Sequence, residues 1–267
     1  MKSHLRFVLA TAIFCGIFLS FSFVNPYGGQ ISLSELILQL SGSRGEFPLG
    51  LSLAELVSFS MRMIPSYIFE AYWGTELYRQ FCTASVYVFS RHPNRLRWYF
   101  KEIFSIINLV FFFQIVLILS AIVTTIFRYD VQIDNSGAVL FVYHIMIHSA
   151  WIYCMTLCAN LIAIYVGSSS AFLIVVGIQT ILITLLNLIE SELHSISIAL
   201  NPISCLVLGW QTSSITPPTP VFNSPYASRL DISLSIMVVF SFFTTIVGLL
   251  LIKRHDLLVA DLEIGGI

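Results

Sequence analysis

His144 and His148 stand four residues apart in an apolar run, so on a helix both imidazoles share one face, the geometry a metal ion requires of its first two ligands. One such pair is half a site. The remaining histidines, His4, His92, His194 and His255, fall on other segments. The pair therefore reads as inward-facing polar packing ahead of an intramembrane metal centre. Cys154 and Cys158 repeat the spacing in the same run and read as small buried thiols packing against neighbours. The other cysteines, Cys15, Cys82 and Cys205, are scattered, and no disulfide framework is expected.

Two familiar chemistries lack their residues. The serines Ser168, Ser169 and Ser170 are not set in the Gly-x-Ser-x-Gly elbow of a hydrolase. A phosphate-cradling loop needs Gly-x-x-x-x-Gly-Lys followed by Ser or Thr, and the only lysines, Lys2, Lys101 and Lys253, sit in no such loop. The chain is expected to be non-catalytic and to carry no cofactor or metal of its own. Any energy it uses would come from a partner or an ion gradient.

Arg62 and Glu70 are charges inside an apolar run, where a charge is expensive and faces a cavity, a partner or a bundle interior. Eight residues of helix separate them by about 12 Å, too far for an ion pair, whereas Glu55 lies seven residues before Arg62 on nearly the same face. Arg62 and Glu70 are the transport-path candidates; buried packing or snorkelling to the interface is the plainer alternative.

The elements that must hold these residues are membrane helices. The chain has 267 residues, 57% of them hydrophobic and 10% charged, with a mean hydropathy of +0.88. A soluble domain is about 25% charged. An all-α integral membrane protein follows, read as one transmembrane domain over 1–267 with six spans at about 5–24, 53–73, 103–127, 139–166, 171–189 and 232–252. The first run is expected to stay as a span rather than act as a cleaved signal, since it exceeds a signal-peptide core and has no Ala-x-Ala-like site. The net charge of −1 gives no reason to expect nucleic acid as a partner.

Between the spans, Leu33, Leu36, Ile37 and Leu40 recur at helical spacing after Ser32 and Glu35, a capping box, and predict a short amphipathic helix. Ser52 and Glu55 repeat the box before the second span. Asp134 to Gly137 read as a turn, and Gly167 to Ser170 as a tight hairpin between the fourth and fifth spans. The segment 190–231 opens apolar, with a break at Asn201 and Pro202 that predicts paired short helices dipping into the interface, then becomes proline-rich.

Orientation follows from Lys and Arg, which accumulate in cytoplasmic loops. With both termini inside, one side carries Lys2, Arg6, Arg79, Arg91, Arg95, Arg97, Lys101, Lys253 and Arg254; the other carries Arg44, Arg128 and Arg229. This vote of nine to three makes 25–52 and 190–231 extracellular and 74–102 a cytoplasmic connection.

Within that connection, Glu70, Gly74 and Thr75, then Ser90, Arg91, Pro93, Arg95 and Lys101, resemble the pattern E-x3-G-T, S-R-x-P-x-R and K found between the second and third spans of ABC-2 type transporter permeases. Phe89 stands where that pattern has a proline. Six spans, cytoplasmic ends and a semi-buried segment between the last two are also similar to that family. The resemblance implies a permease of an ATP-driven exporter in the cytoplasmic membrane. It would work with a second copy of itself or a related permease and with an ABC ATPase that holds ATP and magnesium. The substrate class would be a peptide, an antimicrobial compound or a lipid. Gly74, Thr75, Glu76 and Arg79 would form the coupling element, with Arg91, Arg95, Arg97 and Lys101 leading back to the membrane. A membrane assembly or immunity subunit that binds a partner in the bilayer is the alternative.

Overall fold

The computed structural model describes residues 2–22, 30–42, 53–80, 95–186, 201–211 and 229–254. Arg91, the Ser52 cap, the Glu55 side chain and the proline-rich stretch lie outside the described residues.

Apart from one two-residue strand pair, the described chain is helical. In order it forms α1 (Lys2–Ser22), β1 (Ile31–Ser32), α2 (Leu33–Ser41), α3 (Leu53–Trp73), α4 (Glu76–Tyr78), α5 (Arg95–Ile126), β2 (Val131–Gln132), α6 (Asn135–Val166), α7 (Ser168–Leu185), two 3-10 turns (Pro202–Leu206 and Leu208–Trp210) and α8 (Leu230–Arg254). Four helices, α5 to α8, are long and apolar enough to cross a membrane; the apolar stretch of α1, Leu5–Phe21, is shorter. The protein is an all-α membrane protein of several passes.

Helix α6 is the axis of the bundle, with α2, α3, α4, α5, α7 and α8 all packed on it. Two thirds (67%) of its most apolar stretch is buried, against 22% in α7 and in α8, whose outward faces present Leu173, Ile181, Val239 and Phe242 as lipid requires. Helix α1 runs beside α5 in the same direction. Close approach is possible because Gly16 leaves no side chain there: a Cβ would collide with the Ser120 hydroxyl and the Leu117 carbonyl. One turn on, Ser20 and Thr125 share a buried hydroxyl hydrogen bond of 2.9 Å, and Arg128 donates to the Ser20 carbonyl at 2.8 Å while lying over the Phe21 ring. The cation thus meets a carbonyl of the last turn of α1, where the helix dipole favours it.

Beyond those ends, β1 and β2 pair in parallel, Ile31 opposite Val131 and Ser32 opposite Gln132. This pins α2 over the bundle, with Leu36 and Ile37 fully buried. Ser32 caps α2 by accepting from the Glu35 amide at 3.2 Å. Asp134 corrects the sequence reading of 134–137 as a turn: it is the N-cap of α6. One carboxylate oxygen accepts from the Gly137 amide at 3.1 Å and the other from the Ser34 amide of α2 at 2.9 Å. A helix start therefore replaces the turn, because one side chain satisfies the first amides of two helices.

At the opposite end, α6 passes into α7 through Gly167 alone, whose φ of +81° is the left-handed region that glycine enters freely. The chain returns to the first end in the two 3-10 turns. Asn201 starts them by accepting from the Ile203 amide and donating to the Leu182 carbonyl of α7. Ile203, Leu206, Val207 and Leu208 are fully buried, so this segment and α2 together cap one end of the bundle. The other end, which carries Arg79, Arg95, Arg97, Lys101 and Lys253, is the basic end.

Candidate functional site

Polar side chains inside the bundle collect at two depths, both organised on α6. Nearest the basic end is Asn160, fully buried one and a half turns before α6 finishes. Its carbonyl oxygen accepts from the amides of Leu77 (2.8 Å) and Tyr78 (3.2 Å) in α4. Its amide nitrogen donates to the Trp73 carbonyl at the end of α3 and to the Thr156 carbonyl of α6, each at 2.9 Å. All four hydrogen-bonding positions of the side chain are used. The last carbonyl of α3 and two amides of α4, groups a helix cannot satisfy by itself, are thereby fastened to α6.

The fastening depends on a tight turn. At Gly74 the chain leaves α3 with its amide on the Glu70 carbonyl, where a Cβ would strike that carbonyl and approach the Ala159 methyl to 3.0 Å. Thr75 opens α4, Glu76 is half-buried and pairs with Arg79 at 2.9 Å, and Gln80 reaches both Glu76 and Glu102 of α5. Arg97 and Lys101 are exposed on the first turns of α5, and Arg95 is half-buried beside them. The coupling candidates on described residues thus share one end of the bundle, Gly74, Thr75, Glu76 and Arg79 at the short helix fastened to α6 and Arg95, Arg97 and Lys101 on the start of α5.

Glu70 has 0% exposure and lies between α3, α6 and α7. Gln179 of α7 donates to one of its oxygens at 2.6 Å and accepts from the Trp151 indole of α6 at 3.2 Å. The chain Glu70, Gln179, Trp151 links three helices through their interior. Glu70 makes no ion pair with Arg62, as their separation along α3 requires.

Arg62 faces a different place. It lines a small cavity of about 30 Å³ under the cap, together with Ser66 of α3, Gln114 of α5, His144 and His148 of α6, and Leu206 of the 3-10 turn. The two imidazoles stack, with centroids 4.0 Å apart and planes at 24°, and His148 Nε2 lies 3.2 Å from the Leu206 carbonyl. That carbonyl can only accept, so Nε2 is the nitrogen bearing hydrogen. Among the described residues no third His, Cys, Asp or Glu joins the pair as a metal group. Cys154 lies on another face, near the hydroxyls of Ser241 and Thr244 of α8.

Sequence reasoning singled out Arg62, Glu70 and the histidines separately and missed Gln114, Asn160 and Gln179. The signal was present, since an amide side chain in an apolar span seeks a partner. Comparison of the chain with protein-family models, with curated proteins and with solved structures finds no match.

Proposed function

We propose that this chain is the membrane subunit of an ATP-driven exporter of the ABC-2 permease kind, with six spans, both termini in the cytoplasm and the basic end facing a separate ATPase. The observation that carries the reading is the Asn160 fastening. Through the Asn160 side chain the central helix holds a short helix between α3 and the basic start of α5 by two hydrogen bonds, and the last carbonyl of α3 by a third. A push on α4 from the cytoplasm would be passed to α6, and through it to every helix packed on α6. A subunit that only binds a partner within the bilayer has no need of such a lever.

In this reading α4 and the arginines beyond it meet the ATPase, a second permease copy completes the path, and the cargo is a peptide, antimicrobial compound or lipid-like molecule. The test is isolation of the tagged full chain from its native membrane into lipid nanodiscs. The expected particle contains two permease-sized chains and two chains that bind and hydrolyse ATP. A particle whose mass fits one copy of this chain, with no ATP hydrolysis, would overturn the proposal.

A further inference from the structure

Arg62 carries a guanidinium into the bundle, and no described residue neutralises it. Among the described residues it has no hydrogen-bond or ion-pair partner, and no Asp or Glu lines its cavity. Glu70, two turns further along α3, lies beyond its reach and accepts from Gln179 through one oxygen. A charge partly withdrawn from water inside an apolar bundle is stabilised by a counter-charge or hydrogen-bond acceptors close by.

The neighbours of Arg62 have hydrogen-bonding capacity that no described residue uses. His144 is 3% exposed and its Nδ1 has no partner. Gln114, also 3% exposed, makes no side-chain hydrogen bond among the described residues. His148 is turned toward Leu206, and its ring lies against that of His144, so it fixes the position of the first imidazole. Three helices therefore bring a guanidinium, an imidazole and a carboxamide to one small space.

We propose that this cavity is a binding site for a small monovalent anion of the halide class. Arg62 supplies the charge, and His144 Nδ1 and the Gln114 amide supply further hydrogen-bond donors. The volume sets the size of the ligand. A cavity of about 30 Å³ has room for one or two water-sized species, which suits a chloride better than a phosphate group or a carboxylate-bearing molecule. Since the polar lining comes from α3, α5 and α6 and lies under the cap, an anion there would bind the three helices and the Leu206 turn into one unit. The inference is independent of any ATPase.

The test uses the full chain in nanodiscs, titrated with sodium chloride or sodium bromide against sodium gluconate at constant ionic strength, so that general screening is held fixed. Thermal unfolding should move upward with chloride and with bromide, saturably, and not with gluconate. In Arg62→Gln the apparent affinity should fall about ten-fold or more, as expected for loss of a charge-assisted contact. Should the variant fail to fold, anomalous scattering from bromide in crystals of the wild-type protein decides the matter, with a peak expected among Arg62, His144 and Gln114. A chloride response equal in wild type and Arg62→Gln, bromide only at the surface, or no response with water in the cavity would each overturn the site. Loss of stability in Glu55→Gln alongside a flat wild-type titration would do the same, by naming Glu55 as the counter-charge.

Discussion

Asn160 and Arg62 are polar groups placed against the same helix at opposite ends, and they are treated in opposite ways. Asn160 has every donor and acceptor matched by protein, whereas Arg62 has none of its donors matched by a described residue. Buried polar groups that are fully satisfied rigidify a structure, and partly satisfied ones carry a cost that some other gain must offset. The first arrangement belongs to a joint, the second to a place where something binds.

The largest effect should come from breaking the joint. Asn160→Ala leaves two amides of α4 and the end of α3 without their partner in a place water does not reach, which should lower stability by about 2–4 kcal/mol. Reversible unfolding in mixed micelles measures it. A loss below about 0.5 kcal/mol, the range of an ordinary surface change, would mean that α4 is not held by this residue.

A smaller loss is expected at mid-depth. Gln179→Leu takes the donor from Glu70 and the acceptor from Trp151 but touches no backbone group, so about 1–3 kcal/mol should disappear in the same assay. Glu70→Leu combined with it should recover part of the loss, because two apolar groups no longer strand a carboxyl. Additive losses in the double variant would show that the two side chains do not act as a pair.

Arg62→Gln then inverts the sign. In gluconate it should change stability by less than about 0.5 kcal/mol or raise it, since a charge that no described residue compensates is removed from the bundle. A loss of several kcal/mol in gluconate would show that protein groups already neutralise Arg62, and the contrast with Asn160 would collapse.

The helices of this fold were legible because apolar runs bounded by charges and glycines report themselves locally. Leu53–Trp73 falls where the pattern put it, and the hairpin expected over Gly167 to Ser170 is present but turns on Gly167 alone, since Ser168 already opens α7. The site was legible only in pieces. His144 and His148 stood out by spacing, but Gln114 is thirty residues from His144 and Asn160 is more than eighty from Leu77, and no local pattern joins such pairs. Asp134 misled for a related reason. Its neighbours favour turns, and only the approach of the Ser34 amide from α2 reveals that it caps a helix and fastens another.

The smallest stability effect is also the sharpest probe of the basic end. Arg79 pairs with Glu76 one turn away, with its side chain 64% exposed, and such a pair contributes only a few tenths of a kcal/mol. Arg79→Ala should therefore unfold like the wild type to within about 0.5 kcal/mol. If α4 is the face that meets the ATPase, the same substitution removes a guanidinium from that contact. Retention of the ATPase on the purified chain, or its hydrolysis rate, should then fall about ten-fold, the equivalent of one charge-assisted hydrogen bond. Arg79→Lys distinguishes charge from shape, since lysine keeps the charge but loses the planar fork. Full ATPase retention and hydrolysis in Arg79→Ala would move the docking surface off α4 and leave the Asn160 joint as a purely structural device. A loss in both variants with unchanged unfolding would place a planar carboxylate or carbonyl partner opposite Arg79.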